Sequence, residues 1–122
     1  MLNGRTALIL EKEFLIALDQ QRVLEALGVG ETLFAHTTAD AEQLLGRESA
    51  IALALIEIHQ DDAPAHALLT RLLAEHIPVI LTTADTALLR GYAPFPHLPV
   101  LVKPVPEEEM RAAIIAALPD KA

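Results

Sequence analysis

The chain has 122 residues, 52% of them hydrophobic, with a mean hydropathy of +0.37, which is enough for one domain (1–122) with a real core. Its 17 acids against 9 bases give a net charge of -8, and only 3% of residues are aromatic with no Trp; clustered cations and stacking platforms are missing, so nucleic-acid binding is excluded. Zero cysteines exclude a disulfide framework and a thiolate metal site. No apolar run approaches the ~20 residues of a membrane span, and no basic n-region opens the chain, so a cytoplasmic protein without anchor or signal peptide is expected.

Taken in order, Arg5 to Leu10 is a short apolar run ending in Glu11-Lys12-Glu13, and reads as a first strand. A helix follows to Leu27, with Ile16, Val23 and Leu27 at helical spacing and Gly28 as its stop. Glu31 to Ala35 is a second strand. Thr37 or Thr38 can cap a helix through Leu45, with Gly46 after it. The run Ile51 to Ile56, leading to Glu57, reads as a strand buried on both faces at the centre of a parallel sheet. Such sheets place their chemistry at the C-terminal strand tips, and the tip residue here is Glu57.

Pro64 marks the start of a helix to about Glu75, with Leu68, Leu69, Leu72 and Leu73 as its buried stripe. Pro78 to Thr83 is a fourth strand. Asp85 to Arg90 is weakly patterned, and Gly91 to Pro96 reads as loop. Pro99 to Val102 is a fifth strand, followed by Lys103-Pro104. The last helix opens at Pro106, with Glu107 to Glu109 complementing its dipole. Strands alternating with helices predict an α/β fold with a parallel sheet, helices on both faces and the flavodoxin-like order 2-1-3-4-5.

The tip residues, taken together, are more specific than the fold. Acids end the first strand (Glu11, Glu13), a carboxylate ends the third (Glu57), Thr83-Ala84 ends the fourth and Lys103-Pro104 ends the fifth. The whole chain resembles a receiver domain of bacterial two-component response regulators. The resemblance implies that an Asp at the Glu57 position accepts a phosphoryl group from a histidine kinase. It also implies that two acids after the first strand hold Mg²⁺, and that Thr83 and Lys103 are the phosphoryl-binding pair. The weak segment from Asp85 to Leu98 is similar to receivers with a shortened fourth helix. The resemblance further implies a stand-alone receiver and a cis bond between Lys103 and Pro104, the one common place for cis peptides being X-Pro.

Two departures fall on the chemistry. Glu57 stands where the acceptor Asp belongs, and its extra methylene moves the reacting oxygen beyond what positional catalysis tolerates. Lys12 stands where the second metal acid belongs, so a cation is already present where Mg²⁺ would neutralise charge. Lys12 is therefore expected as the internal counter-ion of Glu11 or Glu57, with Mg²⁺ binding lost or weak and no cofactor needed. The expectation is a degenerate, non-enzymatic receiver that binds a kinase, a regulator or its own copy. The alternative is a working acceptor phosphorylated at Glu57 or at a loop Asp, Asp61 or Asp62.

Other polar residues carry less. His59, Asp61, Asp62 and His66 straddle a loop and a helix start, without the paired spacing of helical zinc sites. His36, His76 and His97 have no companions. Phe14, Phe34, Tyr92 and Phe95 are expected as core or loop anchors rather than as a binding platform. Tyr92 and Phe95 flank the segment that receivers use for partner contacts, so Tyr92, with Arg111 of the last helix, is expected to serve an interface. A flavin site is rejected, because Glu11-Lys12-Glu13-Phe14 is no phosphate loop.

Overall fold

The computed structural model describes residues 1–47 and 50–119. Its elements run β1 (Thr6–Leu10), α1 (Phe14–Ala26), β2 (Glu31–Ala35), α2 (Thr38–Arg47), β3 (Ile51–Glu57), α3 (Ala63–Ala74), β4 (Val79–Thr83), β5 (Val100–Val102) and α4 (Glu107–Ala117). The five strands form one parallel sheet in the order β2-β1-β3-β4-β5, as the sequence predicts. The expected shortened fourth helix is a single 3-10 turn, Thr86–Leu88, capped by the Asp85 carboxylate on the Ala87 N–H at 2.9 Å. α2 runs through Gly46 to Arg47 rather than stopping before it.

The central position of β3 follows from its composition. Because side chains alternate along a strand, Leu53 and Leu55 pack with Ile9, Ile80, Leu101, Leu24 and Ile114 under α1 and α4. Ala54, Ile56 and Ile58 pack with Leu8, Leu10, Leu81, Leu68 and Leu72 under α2 and α3. A strand covered on both sides has no polar face to show, which is why its sequence does not alternate. Truncating one of these fully buried leucines to Ala costs about 2–5 kcal/mol.

In the Leu stripe of α3, Leu68, Leu69 and Leu72 are buried as expected, and Leu73 is only half-buried against the core. α1 is less regular: its buried face is Ala17, Gln20, Val23 and Leu24, so a glutamine lies where the pattern suggests only apolar residues. Two turns need glycine. Gly28 closes α1 with φ +89, and a Cβ on Gly30 would lie 2.1 Å from the Gly4 carbonyl oxygen. Phe14 and Phe34 are not core anchors, being 64% and 38% exposed; Phe14 precedes the buried face of α1, and Phe34 lies on edge strand β2. Tyr92, expected as a core or loop anchor beside the contact segment, is buried at 2% and belongs to the α2/α3-side core. With the helix here reduced to one turn, a large ring is what fills the space between the loop and α3.

Candidate functional site

The site is built by three strand ends that project side chains to one side of the sheet. Ile9 and Glu11, Leu55 and Glu57, Leu101 and Lys103 share one parity, and the apolar member of each pair lies in the core under α1 and α4. The next residue outward on each strand therefore points to the same place. Lys103 Nζ lies 2.6 Å from Glu57 Oε2 and 3.1 and 3.2 Å from the two Glu11 oxygens. The exposures of the three side chains are 9% for Lys103, 0% for Glu11 and 17% for Glu57. One ammonium thus serves two carboxylates, and it uses its donors in charge-assisted bonds.

Backbone amides complete the arrangement. The Glu13 N–H donates to Glu11 Oε2 and the Lys12 N–H donates to Glu57 Oε1, each at 3.1 Å. The Lys103 N–H donates to the Thr83 carbonyl at 2.7 Å, and the bond from Lys103 to Pro104 is cis as expected. Burial pushes the Glu11 carboxyl above the ordinary range, and the neighbouring Glu57 charge adds to it against the bonds from Glu13 and Lys103. For Glu57 burial works in the same direction, but the hydrogen bond from Lys103 and the Lys12 N–H outweigh it and hold the carboxyl below that range. The opposite directions fit the geometry, since Glu57 has the shorter contact and Glu11 the deeper burial. Lys103 is held above its ordinary range by the same two partners, against the effect of burial.

The structure corrects the expectation for Lys12. Its side chain is exposed, and it forms no ion pair with a described residue. Position 12 is a bend beyond the end of β1, and the Lys12 side chain lines an open cleft with Leu10, His36, Thr37, Glu57 and His59. The counter-ion of both glutamates is Lys103.

Thr83 is fully buried and shares its parity with Leu81 on the α2/α3 side; its Oγ1 accepts the Asp85 N–H at 3.0 Å. Among the described residues it makes no hydrogen bond to the three charged side chains. The residue in register with Glu57 is Thr82. Thr82 is 1% exposed, and its hydroxyl has no partner among the described residues. In the loop after β3, the Asp62 carboxylate accepts the His59 N–H at 3.3 Å and lies 3.5 Å from the His59 ring. Asp62 is thus tied to its own loop. Among the described residues, no three His, Asp or Glu side chains are grouped to hold a metal ion.

The donor set does not fit Mg²⁺. That ion requires a near-octahedral set of oxygens. Here both Glu11 oxygens face an ammonium, and position 12 supplies no oxygen from its side chain.

No protein-family model matches the sequence, and no curated protein matches it. Solved structures do. The response regulator PhyR from Brucella abortus is 30% identical over 94% of the chain at a TM-score of 0.73, and the chain spans 48% of that protein's length. The receiver domain of PhyR from Erythrobacter litoralis is 26% identical at a TM-score of 0.74, with 99% of this chain and 97% of that one covered. SdrG from Pseudomonas melonis Fr1, solved in a BeF3-activated conformation, is 25% identical at a TM-score of 0.73, covering 95% and 98%. Among the described residues no helix is long and apolar enough to cross a membrane.

Proposed function

We propose that the chain is a receiver domain of the response-regulator kind, like the structures it resembles, and that it works in two-component signal transduction as an atypical receiver, by protein contact rather than by ordinary Asp phosphorylation. The observation that carries this reading is the ammonium of Lys103 held between Glu57 and Glu11 at 2.6–3.2 Å. A phosphoryl group arriving at the Glu57 position needs that ammonium for its own oxygens. Here the ammonium is already engaged by two carboxylates, and position 12 offers a lysine where a second metal acid would stand. The domain is then a binding module with no catalytic residue, its charge at the strand tips fixed internally. Its partner is a protein of the same pathway, a histidine kinase or regulator, or a second copy. The contact surface we assign is α4, β5 and the segment from Leu89 to His97; charge reversal at Arg111 weakens that contact while the fold survives.

Intact-mass measurement with acetyl phosphate and Mg²⁺ tests the reading. The wild type stays unmodified, and so do Lys12→Asp and Glu57→Asp singly, since each restores only one part of the acidic pocket. Lys12→Asp together with Glu57→Asp supplies both an acceptor of ordinary length and a second metal acid, so its gain in phosphorylation exceeds the sum of the two singles. A phosphorylated wild type would overturn the proposal and favour Glu57 or a loop Asp as a working acceptor.

A further inference from the structure

Away from the charged strand tips, one pair of titratable side chains joins two segments distant in sequence. His66 lies in the first turns of α3, and Tyr92 lies in the stretch that stands in place of a fourth helix. His66 Nε2 and the Tyr92 hydroxyl are 2.6 Å apart. The two rings meet edge to face at 5.6 Å, and Phe95 stacks on Tyr92 while meeting His66 edge-on at 5.7 Å. The backbone of the segment holds itself only locally, through Gly91 N–H to Leu88 O, Phe95 N–H to Tyr92 O and Leu98 N–H to Phe95 O. Its attachment to the domain therefore rests on the buried side chains of Tyr92 and Leu98 and on Phe95 packed against them.

We propose that His66 and Tyr92 form a proton-operated latch, which fixes the 91–98 segment against α3 while the imidazole is neutral and loosens it when the ring takes up a proton. A neutral imidazole has one acceptor nitrogen, so the phenol donates to Nε2. An imidazolium has two N–H donors and no acceptor. Nε2 must then donate to the phenolic oxygen, and the phenolic hydrogen loses its acceptor. Tyr92 is only 2% exposed, so water cannot take that hydrogen without movement of the ring. Ionising the phenol is no escape, because burial, with the Asp62 and Asp61 carboxylates adding to it, pushes its pKa up against the hydrogen bond from the Asp62 backbone. The charged groups that act on Tyr92 are those two aspartates, from the loop that opens α3. Asp62 is already engaged by the amide and ring of His59, and Phe95 on the other side is uncharged. The proton thus controls how firmly the surface bearing exposed Leu89 and the prolines at 94 and 96 is held. This inference is independent of the reading of the strand-tip site.

Tyr92 is the single tyrosine and there is no Trp, so tyrosine emission reports this residue alone. On lowering the pH from about 8 to about 5, the interval of imidazole titration, the emission of the wild type should change sigmoidally. In the same interval hydrogen exchange of the Phe95 and Leu98 amides, corrected for the intrinsic pH dependence, should accelerate about five- to tenfold, the scale of one lost hydrogen bond. His66→Gln should remove both responses, and His59→Gln should keep them. NMR of the His66 ring in the wild type gives the titration directly, without any variant. Emission that is flat with pH overturns the latch. So does a titration that survives in His66→Gln, an emission midpoint unlike that of the His66 ring, or an emission change without faster exchange at Phe95 and Leu98.

Discussion

Two lysines stand at the C-terminal edge of the sheet, at the ends of β1 and β5, and they do opposite things. Lys103 turns its side chain inward and holds Glu11 and Glu57 together with 9% of that side chain exposed. Lys12 binds Glu57 through its backbone N–H, and its side chain, in solvent, adds only charge at a distance. The charges are identical; the burial and the ion-pair partners are not. A buried cation shared by two carboxylates is strongly coupled to the fold, because removing it leaves uncompensated charges in a poorly hydrated place. An exposed cation is screened by water and contributes little.

The largest test of that difference is Lys103→Met. It leaves the Glu11 and Glu57 carboxylates facing each other, and the urea midpoint should report a loss of about 3–5 kcal/mol. Adding Glu11→Gln to that variant should recover part of the loss. Glu57→Gln removes one charged acceptor but leaves Glu11 as a partner for the ammonium, so about 1.5–3 kcal/mol is expected in the same titration.

Acid should act on the same contact without a substitution. Glu57 is held below its ordinary value of 4.5 in the folded state, so the unfolded chain binds its proton first. Its contribution is present above that value and is lost as pH falls through the lower, folded pKa. Glu11 has the opposite sign: its raised carboxyl favours the folded state as it takes up a proton, so the contribution of Glu11 falls as pH rises. Lys103, held above 10.5, contributes fully below that value and loses its share as pH climbs through the folded one. Glu57→Gln should therefore flatten the acid limb of stability against pH, and Glu11→Gln should steepen it. The smallest effect belongs to the other lysine. Lys12→Ala should shift stability by less than about 0.5 kcal/mol, as for an exposed side chain without a partner. A larger loss would mean that Lys12 reaches the carboxylates in solution.

The sequence by itself determined the layered α/β architecture, the strand order and the set of residues at the strand tips. Its physical basis is local: apolar runs long enough for strands, helical spacing between them, and glycine or proline where the chain must turn. Alternation of side chains also lay in the sequence, and it puts Glu11, Glu57 and Lys103 on the face of Ile9, Leu55 and Leu101. What only the tertiary structure decided is where long side chains end. Lys103 and Glu11 are far apart in the chain, and nothing in either strand fixes a 3.1 Å contact until β1, β3 and β5 lie in one sheet with α1 and α4 excluding water. The same holds for Tyr92. Its segment carries no pattern, because the ring is held by Phe95 and by His66 on another element. Pairings of that kind depend on which surfaces packing brings together, and they leave no periodic trace in the chain.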